Sequence, residues 1–261
     1  MNRENIEKIA RTSDDRMLLS HVWDRIQAGM RRDIPTNSCF LSPRELEMAR
    51  FLFGAAPGIF PFGGYADAER KMLCYLPEYL SEASLLEEGG PIVCLCASYF
   101  EQEKPTHRDF LGALMGAGIA RETIGDICVG EGSCIFFVCA EVAPYLLQNF
   151  SSAGRTKLRL QVQPLAQVQV PEPAIQEVRD TLSSLRLDNV ISAGFRIGRS
   201  AAVQYVHAGK AAVNGLPCEK PDKTVSQGDR VSVRGLGKIR LEQVNGQTKK
   251  GRISVTIHRF V

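Results

Sequence analysis

Apolar positions in the first fifty residues recur three and four apart: Ile6 and Ile9, then Met17, Leu18, Val22 and Ile26. That spacing stacks side chains on one helical face and predicts a mainly helical start. Ser42-Pro43-Arg44-Glu45 supplies a capping serine, a proline at the first helical position and a glutamate three residues past the serine. It predicts a helix running to about Gly54. The Gly- and Pro-rich stretch Gly54–Gly64 predicts a loop, and the helix formers of Tyr65–Lys71 predict a further short helix.

Near residue 90 the period changes. Pro91–Ala97 is a short apolar run suited to a buried strand, and Thr106–Ile119 returns to helical spacing, with Leu111, Leu114 and Met115 on one side. Ile124–Val129 and Cys134–Cys139 read as strands joined by a glycine turn, Val142–Phe150 as a helix, and Lys157–Val162 as an alternating strand. The order β-α-β-β-α-β predicts a ferredoxin-like, split βαβ domain. Pro164, Pro171 and Pro173 then mark a linker. The fold class is α+β, in three parts: a helical region over 1–84, the ferredoxin-like domain over 85–170, and a third unit over 171–261.

In that third unit Leu182, Leu185, Asn189 and Val190 are spaced for one side of a helix over 182–191. A second helix runs from Arg199 to His207, with Val203 and Val206 inward, and Gly209 ends it cheaply in the left-handed conformation. Lys210–Val213 reads as a strand, Asn214-Gly215 as a hairpin turn, and Gly228-Asp229 as a turn into the strand Arg230–Arg234.

Composition sharpens the picture. The 261 residues are 44% hydrophobic and 23% charged, which excludes a largely disordered chain. The net charge of +3 conceals a division: residues 1–178 hold 17 basic and 23 acidic residues, whereas 179–261 hold 15 basic and 6 acidic, a net +9. A basic module on an acidic body points to an anionic partner, chiefly nucleic acid. No run of about 18 apolar residues occurs, and the charged N-terminus lacks the apolar core of a secretory signal. The expectation is a cytoplasmic protein with no membrane partner. Cysteines at 39, 74, 94, 96, 128, 134, 139 and 218 lie mostly in apolar strings. Cys94, Cys96, Cys134 and Cys139 have poor spacing for zinc, so all eight are read as reduced, buried thiols and no metal or cofactor is expected.

The string Arg186-Leu187-Asp188, ten residues, Arg199-Ser200, then Gly209-Lys210, Val213-Asn214-Gly215 and Gly228-Asp229 resembles the S4 RNA-binding domain over about residues 182–241. Gly198 stands where a serine is common. The resemblance implies two short helices and a small sheet forming an L-shaped (alpha-L) surface that grips structured RNA. Arg186, Arg199 and Lys210 are expected to converge there on phosphates and 2′-hydroxyls. Asp188 is read as orienting a neighbouring arginine, and Asn214 as the turn residue first. The wider RNA-binding set comprises Arg196, Ser200, Gln204, His207, Arg234, Lys238, Lys249, Lys250 and Arg252.

Three further strings resemble the YlmH family of bacterial S4 proteins: Phe62-Gly63-Gly64-Tyr65 through Glu69-Arg70, His107-Arg108-Asp109 through Gly125-Asp126, and Gly246 through Arg252. The likeness covers nearly the whole chain. It implies a factor bound to rRNA of the large ribosomal subunit, with tRNA a further partner, acting in rescue of stalled subunits and linked by label to cell division. His107-Arg108-Asp109 cannot all face one substrate, because each helical step rotates about 100°. Thr106 or Asp109 is expected to cap that helix, leaving His107, Arg108 and Arg121 as a second RNA or partner surface. Gly112, Gly116 and Gly118 suggest close packing or a tight exit turn. The reading is a monomeric, non-catalytic RNA-binding factor with no small-molecule substrate; the alternative is an RNA-modifying enzyme with an unrecognised middle-domain site.

Overall fold

The helices at the start of the chain follow the capping chemistry. In the computed structural model, which describes residues 5–86, 90–170, 175–248 and 251–260, helices α1 (Asn5–Ile9) and α2 (Ser13–Arg32) open the chain. Strand β1 (Thr36–Asn37) leads to α3 (Pro43–Phe53), where Ser42 and Glu45 form the expected reciprocal cap. The buried Asp15 carboxylate takes a two-pronged ion pair from Arg44, at 2.9 and 2.6 Å, tying α2 to α3.

The N-terminal region is not purely helical. Strands β2 (Ile59–Phe62) and β3 (Met72–Tyr75) join β1 in an antiparallel sheet of order β1-β3-β2. Thus the predicted loop contains a strand, and the helix predicted over Tyr65–Lys71 does not form. Its reason is tertiary: the backbone N–H groups of Glu69 and Arg70 donate to the distant carboxylate of Asp126 and so are lost to a helical ladder.

Beyond this lie β4 (Ile92–Ser98), α4 (His107–Gly116), β5 (Ile124–Val129), β6 (Ser133–Cys139), α5 (Ala143–Asn149), the short pair β7 (Ser152–Ala153) and β8 (Thr156–Lys157), and β9 (Arg159–Gln163). The four long strands form an antiparallel sheet ordered β5-β6-β4-β9. Phe110 and Leu114 of α4 and Leu146 of α5 share a core with Leu95, Phe136 and Val138 of the sheet. A second core joins Phe40, Met72 and Cys74 to Ile92, Cys94 and Phe137. That shared core explains why the chain divides into two compact units, residues 1–171 and 172–261, and not at the expected boundary near residue 84.

The second unit begins with β10 (Ile175–Leu182), followed by α6 (Leu187–Phe195), α7 (Arg199–His207), β11 (Ala211–Val213), β12 (Leu216–Pro217), β13 (Arg230–Val233), β14 (Gly237–Gln247) and β15 (Ile253–Phe260). One antiparallel sheet of order β10-β15-β14-β13-β11-β12 carries both helices. Leu187, Val190 and Ile191 of α6 and Ala202 and Val206 of α7 pack on Val231, Val255 and Ile257; Val203 is only half-buried. The helix predicted over 182–191 begins five residues late, because Leu182 is paired with Ile253 as the end of β10. Pairing across the sheet outweighs the local helical pattern.

All eight cysteines are free thiols, and burial pushes those of Cys94 and Cys139 up to about 12. They are poor nucleophiles at neutral pH. Among the described residues no helix is long and apolar enough to cross a membrane.

Candidate nucleic-acid interface

The junction of α6 and α7 is built on one carboxylate. Asp188 lies in the first turn of α6 and is 1% exposed. Arg186 donates to it from Nε at 3.2 Å and Nη2 at 3.3 Å, and Arg199, the first residue of α7, donates from Nε at 3.0 Å. The Asn189 backbone N–H adds a bond of 3.0 Å. Asp188 is therefore the orienting residue anticipated from sequence. The two arginine side chains remain 40% and 53% exposed, so each is locked on one side and open to solvent on the other. Two cations around one anion leave a fixed positive charge with unused N–H donors, suited to a phosphate.

Burial pushes the Asp188 carboxyl up, but the hydrogen bonds from Arg186 and Arg199 outweigh it and hold the group below its ordinary range. A depressed folded-state pKa gives stability that is present above the unfolded value and lost as pH falls through the folded one. The clasp is expected to be unchanged from pH 8 down to about 5 and to open only below about 4. Arginine Nε resonances of Arg186 and Arg199 followed across pH check this; movement between pH 6 and 8 contradicts it.

The remaining basic residues spread out from this pair. Ser200, Gln204 and His207 stand four and three residues apart on α7 and form one exposed row. Lys210 lies beyond the far end of that helix, over the Tyr205 ring at 5.5 Å. A helix of nine residues is about 13 Å long, so the expected three-way convergence reduces to Arg186 and Arg199, with Lys210 at the opposite end of the row. Arg234 and Lys238 are exposed at the β13–β14 turn. Arg252 donates from Nε to the Thr181 carbonyl at 3.2 Å and from Nη2 to the same oxygen. Lys249 and Lys250 lie outside the described residues. Asn214 is a turn residue, in the left-handed conformation at φ 50°; its side chain donates to Asp229 at 2.8 Å and accepts from the Arg230 N–H at 2.9 Å.

In the first unit, Thr106 and Asp109 cap α4 reciprocally, leaving His107 and Arg108 exposed at its start. Arg121 sits past the other end of α4, half-buried, donating to the Ile124 carbonyl at 2.7 Å. The three do not form one surface. Gly112 and Gly116 are exposed with open space around them, so close packing is not their role; Gly118, at φ 83°, makes the exit turn.

Sequence reasoning missed how two of the quoted strings meet. Asp126 accepts from the Tyr65 hydroxyl at 2.8 Å, the Glu69 N–H at 2.6 Å and the Arg70 N–H at 3.0 Å. Arg70 in turn donates to the carbonyls of Ile124 and Phe40, both at 2.9 Å. Tyr65 stacks on Phe137 with centroids 5.0 Å apart, and a Cβ on Gly64 would come within 2.8 Å of that ring. A cleft of about 990 Å³ nearby is lined by Met17, His21, Cys39, Glu45, Arg70 and Arg121 among others.

Two short helices clasped at a buried carboxylate, carried on a small antiparallel sheet with exposed arginines, define an S4-domain protein, and residues 185–231 match the S4 domain. Residues 99–167 match the family described as "Putative RNA-binding domain in YlmH". The chain is also similar to "Ribosome-associated protein quality control protein P2" of Bacillus subtilis (strain 168), 33% identical over 250 residues, spanning 94% of this chain and 95% of that protein. It belongs to the YlmH family. A solved structure, "Cell division protein ylmH from Streptococcus pneumoniae", is similar with a TM-score of 0.49 and 18% identity, covering 61% of this chain and 98% of that one.

Proposed function

We propose that the protein is a non-catalytic RNA-binding factor of the ribosome, engaging rRNA of the large subunit, with tRNA as a further ligand, in quality control of stalled subunits. The observation that carries the reading is the exposed Arg186–Arg199 pair held on buried Asp188, within a unit whose sequence is strongly basic. The name of the B. subtilis relative supports the ribosomal setting. The sheet order β5-β6-β4-β9 supports a ferredoxin-like reading of residues 85–170, a platform that suits a second RNA contact near His107 and Arg108. The protein acts as a cytoplasmic monomer in this proposal. The cleft lined by His21, Glu45 and Glu122 favours a second reading, an RNA-modifying enzyme.

Crosslinking in cells followed by RNA sequencing tests the first reading: reads are expected to concentrate on large-subunit rRNA and to vanish when the arginine pair is removed together with Asp188→Asn, which strands no buried charge. Mass spectrometry of rRNA and tRNA from deletion and wild-type cells is expected to show identical modifications. A missing modification restored by purified protein decides for the enzyme.

A further inference from the structure

A polar pocket of about 390 Å³ opens beside the arginine clasp. One wall comes from α6, the α6–α7 turn and the first residue of α7: Asn189, Ala193, Arg196, Ile197 and Arg199. The other comes from the end of β10 and the residue after it, Asp180–Ser183, and from Arg252, just before β15. This second wall lies outside the segment that matches the S4 domain. The pocket is thus a composite, half S4 helices and half flanking sheet.

Three features indicate its occupant. The first is charge: Arg196, Arg199 and Arg252 face a single acid, Asp180, so the ligand is anionic. The second is the backbone of Arg196, which caps α6 in the left-handed conformation at φ 53° and ψ 45°. Glycine takes that position without steric cost, yet here a guanidinium is placed at the pocket rim. The third is Asn189, which is 8% exposed. Its amide nitrogen donates to the Ser184 carbonyl at 3.1 Å and to the hydroxyls of Ser183 and Ser184, which fixes the orientation of the amide. With the nitrogen so engaged, the carbonyl oxygen is the acceptor that this pocket-lining side chain can offer a ligand. Leu182, Ala193 and Ile197 supply an apolar floor.

We infer that this pocket receives one unpaired nucleotide of the bound RNA. Its phosphate lies against Arg196, Arg199 and Arg252, its base rests on Leu182, Ala193 and Ile197, and an exocyclic amino group or ring N–H of the base donates to Asn189. A fully paired helix cannot fill such a site, because its bases are stacked inward. An unstacked base can, and recognition of splayed-out bases is the usual route to selectivity for RNA. The inference rests on the proposal that the S4 face binds RNA.

The test uses the full-length protein and three fluorescein-labelled RNA hairpins: fully paired, with one bulged nucleotide (adenosine, cytidine, guanosine and uridine in turn), and with an abasic bulge that bends the backbone equally. Fluorescence anisotropy is expected to show at least one bulged base bound about tenfold more tightly than both the paired and the abasic hairpins. Arg196→Gly, which suits the left-handed backbone and so preserves the fold, is expected to weaken binding to every hairpin somewhat but to the preferred bulged hairpin several-fold more, so that most of the preference is lost. Equal affinity for bulged and abasic RNA overturns the pocket and leaves the RNA-binding reading standing. Weak binding to every hairpin, unchanged when Arg186 and Arg199 are replaced, overturns both.

Discussion

Removing Arg186 and Arg199 together, each to alanine, is expected to destabilise the C-terminal unit by about 3–5 kcal/mol, because Asp188 is left buried without an opposite charge. The two arginines look dispensable for folding when only their exposure is considered. Their carboxylate makes them structural, so a loss of RNA binding in this variant has two causes. Adding Asp188→Asn separates them. The asparagine oxygen still accepts from the Asn189 N–H, no charge is stranded, and most of the stability is expected to return. RNA affinity is expected to stay low, by about 100-fold or more, since two charge-assisted contacts of about 1.5–3 kcal/mol each remain missing. The log–log salt dependence of binding is expected to flatten by up to about 2 units relative to the parent. Native-state hydrogen exchange of the β13–β15 amides reads the stability, and anisotropy across a salt series reads the affinity. A variant that regains stability and binding together places the RNA surface elsewhere.

Asp126→Ala is the change expected to harm the first unit most. It removes the acceptor of three hydrogen bonds, two of them from backbone N–H groups of Glu69 and Arg70. With that anchor gone, Tyr65 loses the bond that holds it against Phe137, and Arg70 loses the backbone geometry aiming it at the Phe40 and Ile124 carbonyls. At about 1–2 kcal/mol per stranded group, the expected loss is about 3–6 kcal/mol. Asp126→Asn retains a carbonyl acceptor and is expected to cost about half as much. Urea unfolding followed by the fluorescence of Trp23, which lies in this unit, measures both, and hairpin RNA binding by the second unit is expected to be unchanged. A near-neutral alanine variant removes Asp126 from its place as the organiser of the Phe62–Arg70 segment.

Much of the second unit is legible from local chemistry. The Asn214-Gly215 turn, the start of α7 at Arg199 and the orienting role of Asp188 all follow from residue types at fixed spacing. The same holds for the Ser42 and Thr106 caps in the first unit. What stays hidden is set by partners far along the chain. Tyr65–Lys71 has the composition of a helix, but its N–H groups are claimed by a carboxylate 56 residues beyond Arg70. In β10 only Val178 and Leu182 are buried, so the strand carries almost no alternation to betray it. The wall that β10 adds to the pocket is hidden with it. Lys210 shows the limit of motif reading: belonging to one pattern does not bring a side chain to one point in space.

The pairing of β10 with β15 also bears on how the second unit assembles. Leu182 meets Ile253 and Ile175 meets Phe260, so this ladder closes a loop of more than 70 residues. The α6–α7 pair and the β13–β14 hairpin need only short loops and can form early. The β10–β15 ladder must wait, because its loop entropy is spent before any contact is gained. Until it zips, β15 presents an unpaired edge, a template for mispairing with another chain. Folding of this unit is therefore expected to be limited by docking of its first strand, and substitutions at the buried Val178 to slow folding only to the extent that this docking is formed in the transition state.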